Sequence, residues 1–248
     1  MKNYLYQDLY NLEESHWWHN AKRQIVLSLI KKYNKLKKPK ILDIGCGTGK
    51  TLESLQNLGI VFGIDSSPQA IHFCKKRDLK NLSLEKSDHT HFPKESFDLI
   101  TTLDVLEHTD DNKTLKEIYR ILRKDGLLLI TVPALPILWS KWDIALKHKR
   151  RYTKKSLKHL LEKNGFNILQ ISYMYSFLIL PVIIIRTLKN IFFPKHYPSD
   201  FLLNFPIIDT ILSNFAKLEA ILIKKGIVPF GLSLITIVKK NESSFHID

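Results

Sequence analysis

Cysteine is scarce in this sequence, and no export signal is visible at its start. The 248 residues contain two cysteines, Cys46 and Cys74, which are too few for a disulfide scaffold and lack the spacing of a metal-binding pair. Residues 1–20 mix acidic and aromatic side chains and lack the apolar segment of a signal peptide. We therefore predict a reduced, cytoplasmic chain with one good-sized domain.

Long apolar runs are also missing. The two most apolar stretches, residues 177–185 and 201–208, are both broken by proline and polar residues, and neither reaches the roughly 18 residues that a membrane-spanning helix needs. Residues 1–133 hold 21 basic and 17 acidic side chains, whereas residues 134–248 hold 17 and 7. Apolar segments with basic neighbours suit the surface of an anionic membrane. We expect either peripheral membrane contact through 177–229 or a helical cap packed on the main domain.

A loop with three glycines, ILDIGCGTGKT at residues 41–51, links a strand-like run to a helix-like run. A Walker phosphate loop needs glycine where this chain has Ile44, and a dinucleotide fingerprint needs glycine where it has Lys50. Asp43 precedes the loop, and a carboxylate there favours a positively charged ligand such as an amine or a sulfonium. Asp65 ends the next strand, where nucleoside-binding folds place an acid on the ribose hydroxyls.

Strands and helices alternate along the chain, which predicts a mostly parallel sheet covered on both faces. Strand-like runs are 40–45, 60–65, 82–86, 97–103, 127–133, one within 166–176 and a last one within 232–240. Helix-like runs are 50–58, 68–78, 112–123 and 153–164. Ligands of such sheets bind at the carboxyl ends of the strands. Four acids are expected around one crevice at these strand ends: Asp43, Asp65, Asp88 and Asp104.

The motif series resembles that of class I S-adenosylmethionine-dependent methyltransferases. The resemblance starts at the glycine loop and Asp65 and continues through 97–108, 122–133, 150–166 and 229–240. It implies a Rossmann-like α/β fold whose seven-stranded, mostly parallel sheet has an antiparallel last strand. It also implies S-adenosyl-L-methionine as cofactor, with S-adenosyl-L-homocysteine as product. On this basis we divide the chain into an N-terminal helical lid (1–36), a methyltransferase domain (37–176 with 230–241) and an apolar, basic helical insertion (177–229).

The same resemblance implies a set of cofactor-binding residues. Asp43 is expected near the amino end of the cofactor, Asp65 at the ribose hydroxyls, Asp88 at the adenine amine, and Leu103 along the pocket. The predicted set is Asp43, Gly45, Cys46, Gly47, Asp65, Ser66, Asp88, His89 and Leu103. For each acid, the alternative is a carboxylate that stabilises a helix N-terminus.

Methyl transfer requires a base only when the acceptor must lose a proton. Histidine titrates in the range that suits this work, and we predict His108, Asp104 and His148 as catalytic residues. The alternative is that Glu107 and His108 only begin a helix. Some quinone O-methyltransferases hold a divalent metal at a similar stretch, but we assign no metal here.

A second cluster, within residues 138–153, precedes the helix at 153–164. It could form an acceptor wall with an anion-binding fork, bind nucleic acid, or pack its tryptophans under the cap. Its members are Trp139, Trp142, Asp143, His148, Arg150, Arg151 and Tyr152. A cluster in the lid raises the same choice between binding and packing: His16, Trp17, Trp18 and Arg23. We expect at least one of its tryptophans to pack in the core.

Three functions follow from these patterns. The main prediction is a methyltransferase acting on oxygen, nitrogen or carbon of a small-molecule or lipid-linked acceptor. RNA methylation is the enzymatic alternative because the net charge is +14. However, residues 103–108 lack the Asn-Pro-Pro-aromatic motif of amino-group methylases and contain no cysteine to attack a pyrimidine. The third is a non-catalytic, cofactor-binding protein at a membrane surface.

Overall fold

One mixed sheet organises the molecule. The computed structural model describes residues 4–192 and 206–241. Its strands are β1 (Lys40–Ile44), β2 (Ile60–Asp65), β3 (Leu82–Leu84), β4 (Phe97–Leu103), β5 (Leu122–Pro133), β6 (Phe166–Met174) and β7 (Ser233–Lys240). Their order is β3-β2-β1-β4-β5-β7-β6. The strands β1 to β5 pair in parallel, and β7 is antiparallel to both β5 and β6, so the predicted sheet and its antiparallel last strand are confirmed.

Helices precede, alternate with and interrupt the strands. They are α1 (Tyr4–Ser15), α2 (Trp17–Tyr33), α3 (Lys50–Leu55), α4 (Pro68–Lys76), α5 (Asp111–Ile121), α6 (Lys141–Ala145), α7 (Lys154–Lys163), α8 (Ile179–Phe192) and α9 (Pro206–Lys225). Local sequence explains where several begin. Asp110 accepts a hydrogen bond from the backbone N–H of Lys113 at the start of α5, and Thr153 and Ser156 cap α7 reciprocally.

Three predicted helices end earlier than expected. The helices expected over 50–58, 68–78 and 112–123 end at Leu55, Lys76 and Ile121. Strand β5 instead begins at Leu122, which is fully buried and pairs with Phe97 of β4. Burial in the sheet therefore overrides the helical pattern at that point.

The core lies on both faces of the central strands. Ile41, Leu42 and Ile44 of β1 and Leu99 and Ile100 of β4 are fully buried. Burying each such side chain contributes roughly 1.5–3 kcal/mol. Near-continuous apolar strands of this kind belong to a sheet covered on both faces, which keeps the carboxyl ends of β1, β2 and β4 in fixed relation at one edge.

The helices outside the alternating pattern lie at the two predicted places. Helices α1 and α2 precede β1, and α8 and α9 lie between β6 and β7. Lys32 of α2 joins these regions, since its Nζ lies 2.8 Å from Gln170 Oε1 in β6 and 2.7 Å from the carbonyl of Lys224 in α9. Across 4–192 and 206–241, each helix is too short or too polar to cross a membrane. The apolar stretch predicted at 201–208 lies largely outside the described residues.

Candidate active site

The glycine loop after β1 presents bare backbone at the sheet edge. The backbone N–H groups of Gly45 and Cys46 donate to the carbonyl of Ile64 at 2.8 and 3.0 Å. Gly45 has φ +72, and a Cβ there would meet Val105 Cγ2 at 2.4 Å. A side chain at this position would therefore clash as well as strain the backbone. The Cys46 sulfur points away from the edge, 3.7 Å from the sulfur of Cys74, so Cys46 can offer only its backbone to a ligand.

Asp43 is the buried anion beneath this loop. It is 2% exposed, and the Thr101 hydroxyl donates to its Oδ1 at 2.6 Å. Burial above all, followed by the charges of Glu13 and Asp65, raises the pKa of Asp43 to about 7, while the hydrogen bond from Thr101 and the charge of Lys22 oppose the shift. A buried carboxylate of raised pKa fits a ligand that brings positive charge, as the ammonium and sulfonium groups of S-adenosylmethionine do.

Asp65 lies at the end of β2, beside the loop. Its Oδ2 accepts from Gly47 N–H at 3.1 Å and its Oδ1 accepts from Ser67 N–H at 2.9 Å. Burial nevertheless raises its pKa, and Ser66 beside it is exposed. These backbone bonds hold the carboxylate in one orientation, as recognition of a diol requires.

The other predicted cofactor residues lie along the same edge. Asp88 is half-buried and His89 exposed in the segment after β3, where His89 bridges back to Lys86. Leu103 is the half-buried last residue of β4. Their contact with the cofactor stays a prediction.

Asp104 follows β4 and is tightly held. It has φ +57, and its N–H donates to the Thr131 carbonyl at 2.9 Å. Its Oδ1 accepts from the Thr131 hydroxyl at 2.9 Å, and its Oδ2 lies 2.6 Å from Lys22 Nζ. Burial opposes ionisation of Asp104, but Lys22 outweighs it and the pKa is lowered. Asp104 is therefore an ionised, fully paired group. Sequence reasoning missed Lys22, since nothing local links residues 82 positions apart.

Glu107 is the least satisfied side chain of the site. It belongs to a 3-10 turn, Leu106–His108, and α5 begins only at Asp111, so the alternative that Glu107 and His108 begin a helix was wrong in detail. Glu107 is fully buried, and both carboxylate oxygens lack a hydrogen-bond partner. Burial, followed by the charge of Asp104, raises its pKa well above the usual range. The surroundings of Glu107 therefore favour its neutral form.

His108 and His148 face each other beside Glu107. The Nδ1 of His108 lies 3.3 Å from the Lys147 carbonyl, and the Nδ1 of His148 lies 2.9 Å from Asp143 Oδ1. Because a carbonyl only accepts, and an ionised carboxylate likewise, Nδ1 is the donor in both contacts, and in the neutral form of either ring Nε2 is the atom with the lone pair. Their ring centroids are 4.8 Å apart. Burial, and then the charge of His148, lowers the pKa of His108.

This grouping can also hold a metal ion. One ligand atom from each of Glu107, His108 and His148 lies within 4.8 Å of the others. Asp143 would then orient His148 from behind, an arrangement common around metal ligands. The sequence assigned no metal, so the two roles of these histidines, base and ligand, have to be separated by experiment.

The segment 138–153 is built around Asp143. This fully buried carboxylate accepts from Arg151 Nε at 2.7 Å and from Ser140 N–H at 2.8 Å. Burial opposes its ionisation, but His148 and Arg151 outweigh burial and lower its pKa. Arg150 lies 2.6 Å from Asp111 Oδ2. Both guanidinium groups are thus paired within the chain, which argues against an open anion-binding fork.

The aromatic residues of the two clusters differ in exposure. Trp139 is 42% exposed, so it does not pack under the cap, and Trp142 is half-buried. Tyr152 is buried, and its hydroxyl lies 3.1 Å from Asp111 Oδ2. In the lid, Trp17 is buried in the core as expected, while Trp18 stacks on Tyr175 with centroids 3.7 Å apart. His16 and Arg23 are also buried.

Comparison with known proteins identifies the family of the chain. A family model described as a methyltransferase domain matches residues 17–171. A ubiquinone biosynthesis O-methyltransferase of Glaesserella parasuis is 35% identical over 112 residues, which are 40% of this chain and 48% of that protein. An uncharacterised protein of Methanocaldococcus jannaschii is 30% identical over 132 residues, which are 53% of this chain and 50% of that protein. The chain therefore matches about half the length of these curated relatives.

A solved structure extends the likeness to most of the fold. A SAM-dependent methyltransferase from Thermotoga maritima superposes with a TM-score of 0.61 at 19% identity, over 95% of both chains. At this identity the likeness concerns the fold alone. The family model, in contrast, covers more than half of the chain. The chain therefore belongs to this methyltransferase domain family.

Proposed function

We propose that the chain transfers the methyl group of S-adenosylmethionine to oxygen or nitrogen of a small-molecule or lipid-linked acceptor. The observation that carries this proposal is the pair of facing imidazole rings of His108 and His148, whose centroids are 4.8 Å apart. The Nδ1 of each ring faces an acceptor, so the Nε2 atoms of the neutral rings are the ones that can take a proton. A hydroxyl or ammonium acceptor must lose a proton on methylation, and these atoms can take it. Carbon methylation remains the third option for an acceptor with an acidic C–H.

The work of the chain is alignment, exclusion of water and proton removal. When bound, the cofactor supplies a methyl carbon activated by positively charged sulfur. Asp43, Asp65 and the glycine loop orient it at the ends of β1 and β2. His148, fixed by Asp143 at 2.9 Å, accepts the acceptor proton at Nε2, and Asp104 adds negative charge that stabilises the resulting imidazolium. Alignment of this kind is the main source of rate for displacement at an activated carbon.

The contacts of helix α9 support the proposal of a lipid-linked acceptor. Its buried Glu219 accepts from the backbone N–H groups of Tyr175 and Ser176 at 2.5 and 2.6 Å. Tyr175 in turn stacks on Trp18 of α2, the helix that supplies Lys22 to Asp104. The insertion is thus connected through buried contacts to the acceptor end of the crevice. The relative named for ubiquinone biosynthesis also supports an acceptor hydroxyl.

The exposed apolar side chains of α8 and α9 support contact with a membrane. We call this set the insertion surface; its residues are Leu180, Ile183, Ile184, Ile185, Ile211, Phe215, Leu218, Ile221 and Leu222. The exposed lysines Lys217, Lys224 and Lys225 lie on α9. Apolar side chains with a lysine fringe match the interface of an anionic bilayer, and we propose that this surface rests there.

Two experiments test these proposals. A labelled methyl donor is offered with lipid extract, polar metabolites or RNA, and label in a lipid or metabolite fraction is expected. Label in RNA alone would favour the nucleic-acid alternative, and cofactor binding without any product would favour the non-catalytic one. In the second experiment, Leu218→Glu should abolish flotation with phosphatidylglycerol vesicles. The control Ile60→Glu, which changes an exposed residue at the start of β2, should not. Equal flotation of both variants would leave the insertion surface as a packing surface for a partner protein or a second copy.

A further inference from the structure

Helix α1 lies directly over the glycine loop. A Cβ on Gly47 would lie 4.0 Å from Leu9 Cδ2. Tyr6 of the same helix clusters with Ala70 and Phe73 of α4, and the ring of Tyr10 lies 5.0 Å from that of Phe73. Helix α1 therefore bridges the loop and α4 and covers the crevice between them.

Two adjacent carboxylates of α1 have different surroundings. The side chain of Glu13 is 13% exposed, and the buried Thr48 hydroxyl donates to it. The side chain of Glu14 is 46% exposed, and it pairs with Lys50 at 2.8 Å and with Arg77. Glu13 is consequently the carboxylate that faces inward to the loop, and Glu14 the one that faces solvent.

Glu13 belongs electrostatically to the same crevice as Asp43. After burial, the charge of Glu13 is the stronger of the two neighbouring charges that raise the pKa of Asp43, ahead of Asp65. Burial also raises the pKa of Glu13 itself, against the opposing effects of Thr48 and Arg77. Two enclosed carboxylates repel unless a cation joins them. Glu13 thus lies at the glycine loop, where the Thr48 hydroxyl donates to it, and within reach of the charge of Asp43.

The cations near Glu13 are already shared with other partners. Lys22 Nζ lies 2.6 Å from Asp104. Arg77 lies 3.9 Å from Glu13, but its Nε donates to the Thr48 carbonyl at 2.8 Å and it pairs with Glu14. A further cation between Glu13 and Asp43 would satisfy both carboxylates.

We propose that Glu13 is a cofactor-binding residue that holds, together with Asp43, the α-ammonium group of S-adenosylmethionine. The inference rests on the proposed function, which supplies the ligand. Asp65 fixes the ribose at the other side of Gly47, so the amino-acid end of the cofactor extends toward Asp43 and Glu13. Helix α1 then closes on the cofactor through a direct ionic contact.

Binding calorimetry with three ligands tests this proposal. S-adenosylmethionine and S-adenosylhomocysteine both carry the ammonium group, and methylthioadenosine lacks it. We expect Glu13→Gln, whose amide oxygen can still accept from Thr48, to weaken the binding of S-adenosylmethionine and S-adenosylhomocysteine by about tenfold or more. Methylthioadenosine should bind as it does to the wild type. The matched control is Glu14→Gln, which should leave all three affinities within about threefold.

Each contrary outcome has its own meaning. Unchanged S-adenosylmethionine affinity in Glu13→Gln would overturn the ionic contact. An equal loss for methylthioadenosine would overturn it as well, because it would show that Glu13 only holds α1 in place. A wild-type protein that binds none of the three ligands would instead overturn the proposed function, and the inference with it.

Discussion

The two ends of the crevice are built in different ways. At the cofactor end, the loop from Asp43 to Gly49 and the carboxylate of Asp65 are presented by short, nearly contiguous segments, and backbone N–H groups orient the acid. At the acceptor end, side chains meet across long sequence separations, as in the contact between Lys22 and Asp104. The comparison teaches that the cofactor end depends on backbone shape, whereas the acceptor end depends on the ionisation of packed side chains.

The largest effect is expected from a substitution that distorts the backbone at the cofactor end. Gly45→Ala should reduce cofactor affinity more than about 100-fold, because its Cβ would meet Val105 at 2.4 Å at φ +72. Gly226→Ala is the matched control, since it has φ +76 but no contact closer than 3.6 Å. It should cost about 1 kcal/mol of stability and leave affinity unchanged. Calorimetry and thermal melting measure both, and equal affinity losses would refute the steric argument.

The next largest effect is expected on kcat, from a substitution at the acceptor end. His148→Gln should lower kcat by about 10²–10⁴-fold and leave cofactor affinity unchanged, because His148 touches the acceptor side only. His159→Gln, an exposed histidine of α7, is the control and should behave as wild type. Dialysis against a chelator separates the two roles of His148: retained activity supports a base, and lost activity restored by a divalent metal would assign it as a ligand.

A smaller effect concerns the pH dependence of cofactor binding. The pKa of Asp43 is raised to about 7 by burial, so part of the population is protonated at neutral pH. A cationic ligand favours the ionised form, and affinity should therefore rise by about tenfold from pH 6 to pH 8. The groups that face Asp43 are Glu13, Lys22, Asp65 and Thr101. Asp43→Asn should bind more weakly with a flatter pH profile, and an unchanged profile would contradict this role of Asp43.

The smallest expected effect is on stability at the acceptor end. The pKa of Glu107 is raised in the fold by burial and then by Asp104, so the native state holds a proton that the unfolded chain releases above about pH 4.3. Stability therefore falls as pH rises, by linkage. Glu107→Gln, which mimics the neutral acid, should weaken this fall and melt a few degrees higher at pH 8, on the order of 1 kcal/mol. A lower melting temperature at pH 8 would show that Glu107 is ionised in the fold.

Prediction from sequence was accurate where structure is local. The alternating strands and helices are confirmed, because their patterns reflect neighbouring residues. The seven-stranded sheet with its antiparallel last strand, which the family resemblance implied, is confirmed as well. The helix expected over 112–123 was too long at its C-terminal end, because the buried pairing of Leu122 with Phe97 is a long-range contact. Glu13 and Lys22 of the lid had no signal that could assign them to the crevice.

The sequence alone determined the backbone features at the predicted cofactor end: an acid, a glycine turn and a second acid about twenty residues later, on strands that emerge at one edge of the sheet. Only the tertiary structure decided the acceptor end. There, the burial of Glu107, the pairing of Asp104 with Lys22 and the orientation of His148 by Asp143 set which groups carry protons. The physical reason is that backbone conformation follows from local residue preferences, while ionisation depends on burial and charges brought together by folding.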